Sequence, residues 1–325
     1  MLGIFLIIVL IVSSLYILLK GANYLIDGAV DVSRWFRISP IFVGLTVVAF
    51  GTSLPEFMIS LFSVLNGDAD LSIGNIIGSN IFNIAFIIGL SAIIRPLTVR
   101  SSTLINEFPF MTSSAFLLLI LASDHFLFGE NVFILGRIDG IIFLLLFSCF
   151  IAYILANMNK EKKIVTTEFL AFKRDHSLFK SIFIIISGLA GLIAGGKIFT
   201  FGATELAIRA GISEAFIGLT IAAVGTSLPE LATSTVAAWK KQMDIAVGNM
   251  VGSNIFNILF VLGIVSIIKP ISVNPLFLQI DAMVMILVTM LFVLFATRKK
   301  IVSRGQGIFF VALYVLYTAF LIWQL

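Results

Sequence analysis

Apolar runs of 18 or more residues recur down the whole length of this chain. Each can cross a hydrocarbon layer of roughly 30 Å as a helix. With 60% of its residues hydrophobic and only 12% charged, the chain cannot be a soluble globular domain and reads as an integral membrane protein. The runs predict ten spans, at about 3–33, 40–65, 71–94, 103–122 and 134–157, then 180–210, 214–239, 245–268, 277–297 and 306–324. Residues 2–19 lack a positive leading region and a small-residue cleavage site, so they read as the first span and not as a removed signal peptide. The polar stretch 158–179 is the one sizeable linker. It divides the chain into a first five-helix unit (1–157) and a second (180–325).

The two units are copies. GLTVVAFGTSLPEFMISLF at 44–62 returns as GLTIAAVGTSLPELATSTV at 218–236, and GNIIGSNIFNI at 74–84 returns as GNMVGSNIFNI at 248–258. The offset is 174 residues throughout, and 28 of 59 positions are identical between 41–99 and 215–273. Five spans per unit is an odd number, so the second copy must enter the membrane in the opposite sense. The expected fold is all-α and polytopic: two inverted five-helix repeats with helices broken near the midplane, a hallmark of secondary transporters.

The basic residues support this layout. With the N-terminus outside, sixteen of the 21 lie in inner loops, among them Arg34, Arg37, Arg100, Lys240 and Lys241. Only Arg137, Arg209 and Lys269 lie on the outer side. That bias places both termini outside and the linker in the cytoplasm. It also explains the net charge of +4 through topology, so no nucleic-acid partner is expected and the lipid bilayer is. The lone Cys149 allows no intramolecular disulfide and reads as a small core residue. His125 and His176 fall in loops, which excludes a histidine-based site within the membrane.

The most faithfully repeated residues carry oxygen or break helices. In Gly51-Thr52-Ser53-Leu54-Pro55-Glu56, Pro55 lacks an N–H and clashes with the carbonyl four residues back, so the helix should kink and release carbonyls. Loose backbone of this kind must face protein or water. Thr52, Ser53 and Glu56 can share one helix face, as can Thr226, Ser227 and Glu230. Ser79 and Asn83, and their copies Ser253 and Asn257, are likewise four apart. Asn80 and Asn254 point off that face and are expected to bond loosened backbone.

A carboxylate at mid-membrane costs roughly 2.5 kcal/mol or more. Two at related positions imply neutralisation by a bound cation or by a proton. Calcium takes 6–8 oxygen ligands, and sodium accepts the same donors; without thiolate or imidazole ligands, zinc and copper are poor candidates. The glycines at 44, 74, 78 and 89 and their copies read as packing residues. Asp31 and Glu205 read as salt-bridge or gate residues near span ends, Glu107 and Asp281 as helix-start carboxylates, and Asp70 and Asp244 as caps.

The paired GTSLPE and GSNIFNI blocks resemble the α-repeats of the calcium/cation antiporter superfamily, in particular the prokaryotic sodium/calcium exchangers. The resemblance implies that Glu56, Glu230, Thr52, Ser53, Ser79, Thr226, Ser227, Ser253 and Asn83 are cation ligands, joined by the carbonyls of Ala49 and Ala223. Asn257 stands where some members carry aspartate, which leaves at most two negative charges from these positions. The resemblance also implies that the two long helices, one and six, slide across the core to alternate access. The expected function is therefore antiport of calcium against sodium in a prokaryotic inner membrane. No cofactor is expected, and the two ions are the substrates. A proton/calcium antiporter is the close alternative, a channel a more distant one, and a membrane enzyme the least favoured.

Overall fold

The computed structural model describes residues 3–123, 133–161, 176–210 and 223–324. His125 and most of the 158–179 linker lie outside the described residues. The described chain is mostly helical. In the first half run α1 (Ile4–Phe36), α2 (Pro40–Thr52), α3 (Leu54–Asn66), α4 (Ala69–Ile94), α5 (Ser101–Leu121) and α6 (Arg137–Glu161). In the second run α7 (Leu178–Arg209), α8 (Ala223–Thr226), α9 (Leu228–Trp239), α10 (Met243–Ile268), α11 (Phe277–Lys299) and α12 (Arg304–Gln324). Among the described residues eight helices are long and apolar enough to cross a membrane alone, and the bent pair α2–α3, counted as one span, makes a ninth. The expected span at 214–239 is described only from residue 223, as α8 and α9.

Gly67, at φ 91°, ends α3 in the left-handed region that a side chain disfavours; its N–H donates to the Val64 carbonyl at 3.1 Å and the Asp68 N–H to the Ser63 carbonyl at 2.8 Å. The next helix is capped by Asp68, whose side chain accepts the Leu71 N–H at 3.1 Å. This corrects the expectation for Asp70, which sits within the first turn. Asp244 does not cap either: Gln242 holds that position, and Asp244 forms an ion pair with Arg100.

Burial sorts the helices into layers. The most apolar windows of α4 and α10 are 78% buried, against 22% for α1 and α6 and 11% for α12. The two copies of the GSNIFNI segment therefore form the centre of the bundle, where their polar side chains avoid lipid. Cys149 is exposed on α6, which corrects its reading as a core residue. A helix apolar on every side does not announce which face meets lipid.

Two short antiparallel pairs tie the helix ends together. β1 (Leu97–Thr98) pairs with β4 (Ile301–Val302), and β2 (Ile134–Leu135) pairs with β3 (Ile271–Ser272). β3 precedes α11 and β4 follows it. β1 follows α4 and β3 follows α10, so these equivalent helices finish at opposite ends of α11.

Asp31 lies 3.4 Å from Arg34, and Glu205 lies 2.7 Å from Arg209, both salt bridges as expected. Glu107 opens the helical segment Glu107–Leu121, as expected of a helix-start carboxylate, and it is buried and accepts the Tyr153 hydroxyl at 2.8 Å. Asp281 is not at a helix start: it lies inside the π-helical stretch Phe277–Ala282 and accepts the Tyr317 hydroxyl at 2.5 Å. In each case a tyrosine of a neighbouring span donates to the acid.

Candidate cation site

The site begins at the break between α2 and α3. The two helices differ in direction by 42°, with Ser53 at φ −83°, ψ 3° between them. A π-helical stretch, Gly44–Val48, precedes the break. The Ala49 carbonyl, expected to be freed, accepts the Ser53 N–H at 3.0 Å and lies 3.3 Å from the Thr52 hydroxyl. Ser227 repeats the geometry at φ −89°, ψ 8°. Its N–H donates to the Val224 carbonyl at 3.1 Å. Pro55 and Pro229 sit in the first turn of α3 and α9, where the missing N–H costs nothing.

These breaks carry Glu56 and Glu230 into the bundle, where both are fully buried. Each carboxylate meets hydroxyls of the other copy. The Ser227 hydroxyl lies 2.9 Å from Glu56 Oε1 and 3.0 Å from Ser79 Oγ. The Ser53 hydroxyl donates to Glu230 Oε1 at 3.1 Å. With one proton per hydroxyl, Ser79 donating to Ser227 and Ser227 to Glu56 satisfies that chain. Thr52 and Thr226 are buried alongside. Ser253 lies beside Glu230.

Several inward oxygens have no hydrogen-bond partner among the described residues: Oε2 of Glu56 and of Glu230, Ser253 Oγ, Asn257 Oδ1 and both amide atoms of Asn83. Leaving such groups unmet costs about 1–3 kcal/mol each. All are hard donors apart from the Asn83 nitrogen, and the oxygens suit calcium or sodium. Among the described residues no three or more of His, Cys, Asp and Glu group to hold a metal, so the negative charge here comes from the two glutamates. Asn83 and Asn257 occupy π-helical stretches, Phe82–Ile87 and Phe256–Leu262. The Asn257 amide donates to Asn80 Oδ1 at 3.0 Å. Asn80 and Asn254 do bond backbone as expected, at Asn254 O (3.4 Å) and Met250 O (2.7 Å).

The residues that sequence reading missed are Asn75 and Asn249. Both belong to the repeated blocks and both touch this cluster. Asn75 donates to the Glu56 carbonyl (3.1 Å) and to Ser60 Oγ (3.0 Å), and Asn249 donates to Ser234 Oγ (3.0 Å). Their identity across the repeat was the available signal.

A cavity of about 1270 Å³ runs from the 66–70 turn to the α8–α9 break, past Asp70, Asn75, Gly78, Thr226 and Pro229. The opposite end is held by ion pairs. Arg100 joins Asp244, and Lys240 reaches Asp27 of α1 at 2.7 Å. At the 174-residue offset, Arg100 corresponds to Asn274, Lys240 to Asn66 and Asp27 to Phe201. The cavity end therefore has no counterpart of either pair.

The family model for sodium/calcium exchanger protein matches residues 6–156 and 180–323. Inner membrane protein YrbG of Escherichia coli (strain K12) is 37% identical over 97% of this chain and 96% of its own. The sodium/calcium exchanger MaX1 of Methanosarcina acetivorans is 29% identical over 95% of both chains. A solved structure of the sodium-calcium exchanger NCX_Mj superposes with TM-score 0.82 at 32% identity, covering 98% of this chain and 99% of that one. The resemblance read from the repeated blocks thus holds over nearly the whole length, and the chain belongs to the sodium/calcium exchanger family, a family of membrane transporters and not of enzymes.

Proposed function

We propose that this protein is a secondary active antiporter that exchanges calcium for sodium by alternating access, with Glu56 and Glu230 holding the ions. The observation that carries the proposal is the reciprocal contact across the repeat, Ser227 on Glu56 and Ser53 on Glu230. One pair of carboxylates is thereby framed by hydroxyls of both copies. The remaining ligands in this reading are Thr52, Thr226, Ser79, Ser253, Asn83, Asn257 and the Ala49 and Ala223 carbonyls. The named relatives MaX1 and NCX_Mj, both sodium/calcium exchangers, support the choice of ions.

The fold in this reading is ten spans in two inverted repeats. The pairing of β1 with β4 and of β2 with β3 supports it, because it separates the ends of α4 and α10. The basic-residue bias puts both termini outside, so the cavity faces out and the ion pairs close the cytoplasmic end. The E. coli relative's name supports an inner-membrane location. Asn at both 83 and 257 limits the charge available to several sodium ions, and that observation favours proton/calcium exchange as the second reading.

The test is calcium uptake into liposomes under two gradients. An outward sodium gradient at equal pH is expected to drive uptake, and a pH gradient without sodium is not. Uptake driven by pH alone would establish the second reading, and uptake with no coupled ion would replace antiport with a channel.

The closed end gives a separate expectation. Arg100→Gln together with Lys240→Gln frees Asp244 and Asp27, so the cytoplasmic end should open more often. A cysteine placed beside the site from that side should then be labelled faster by a membrane-impermeant thiol reagent, in a Cys149→Ser background. Unchanged labelling would show that the ion pairs do not hold the end shut.

A further inference from the structure

Given the proposed cation site, we infer that Asn75 and Asn249 are positioning residues: each holds the proton of a threonine hydroxyl from the other copy so that its lone pairs face the cation. A hydroxyl can ligate a cation only through oxygen lone pairs, so its single proton must be directed elsewhere. Thr226 donates to Asn75 Oδ1 at 3.3 Å, and Thr52 to Asn249 Oδ1 at 3.2 Å, the shorter of its two acceptors, with the Ala49 carbonyl at 3.3 Å. Both amides are themselves held. Asn75 Nδ2 is fixed by the Glu56 carbonyl and Ser60, and Asn249 Nδ2 by Ser234. An amide whose nitrogen is anchored cannot turn a donor toward the threonine, so its oxygen stays aimed there. Both asparagines are buried, at 4% and 0% exposure, where no bulk water competes for that proton.

The arrangement also couples the copies. Asn75 sits on α4 with its nitrogen at the Glu56 backbone, and its oxygen meets Thr226 of the second break. Asn249 sits on α10 and meets Thr52 of the first. Each threonine is thereby oriented by the half of the molecule that does not carry it.

The experiment is calcium flux in liposomes with purified full-length variants, resolved into KM and kcat. Thr226→Val should raise the calcium KM about tenfold, the loss of one well-placed polar ligand. Asn75→Ala should raise KM by a similar factor while kcat changes little. In the Thr226→Val background, Asn75→Ala should raise KM no further. Asn249→Ala, alone and in the Thr52→Val background, repeats the cycle at the other copy with the same expected pattern, and carries the test if Asn75→Ala does not fold.

A KM unchanged in the asparagine-to-alanine variant, or an additive rise in the double variant, overturns the inference and leaves an inter-helix packing role. If Thr226→Val and Glu56→Gln both leave the calcium KM unaltered, the cation site itself is wrong. The two failures are therefore distinct.

Discussion

Glu56→Gln and Glu230→Gln are each expected to abolish sodium-driven calcium uptake in inverted vesicles, with residual flux at least about a hundredfold below wild type. The argument is electrostatic. A divalent cation leaving water loses a large hydration energy, and only ionised ligands in a low-dielectric site replace it. Both glutamates are fully buried, and among the described residues no other carboxylate joins a metal-holding group with them. Replacing either by an amide removes half of the available negative charge while keeping shape and most hydrogen bonds. In Glu56→Gln the Ser227 hydroxyl can still donate to the side-chain amide oxygen, so the variant should fold, and monodispersity on size exclusion checks this. Near-normal uptake by a folded variant would sink the site assignment. Glu205→Gln is the useful contrast: its carboxylate pairs with Arg209 at a helix end, so uptake should stay within about twofold, the scale of an exposed ion pair.

Much of this architecture was legible because lipid removes alternatives. A long apolar run must satisfy its own backbone, so the run lengths marked most helix positions to within a few residues. The repeat added the next level. Residues 174 apart were expected to share geometry, and Ser53–Glu230 with Ser227–Glu56 show that correspondence. Pro55 marked the break because its missing N–H acts at a fixed distance along the chain.

Other features were hidden because they depend on contacts between distant segments. Arg100 and Lys240 counted as topology signals in the sequence, and nothing local links them to Asp244 or Asp27. The tyrosines that donate to Glu107 and Asp281 lie 46 and 36 residues away, so their contacts could not be read locally, and for Asp281 this hid that it is no helix-start charge. Asn75 and Asn249 were visible as repeated residues. What hid them is that the glycines around them are explained by packing, and an amide next to a glycine looks like part of the same seam. The copies also show where symmetry is broken: Arg100, Lys240 and Asp27 at one end of the bundle correspond to Asn274, Asn66 and Phe201 at the other, a difference between the two ends that the proposed alternating access would require.

Gly188→Val should eliminate exchange, and Gly188→Ala should slow it sharply. α1 and α7 are 33 and 32 residues long, about 50 Å each at 1.5 Å per residue and well beyond the hydrocarbon thickness. They cross each other at glycines. A Cβ on Gly188 would lie 2.6 Å from Leu25 N and 2.8 Å from Gly21 O, and one on Gly21 would lie 2.8 Å from Gly188 O. Backbone cannot yield as a flexible side chain can, so the helices must separate, at a cost of about 1–3 kcal/mol or more. A seam of small residues also lacks the interlocking ridges that fix one register. That is what two helices moving together across a core require. Gly196→Ala on the same helix is the matched control, since its Cβ would meet nothing closer than 3.5 Å, and it should keep most of the wild-type rate. Calcium-dependent thermal stabilisation separates the causes. A Gly188→Ala protein that is still stabilised by calcium but turns over slowly has lost movement and kept its site. Wild-type turnover in that variant would remove α1 and α7 from the transport cycle.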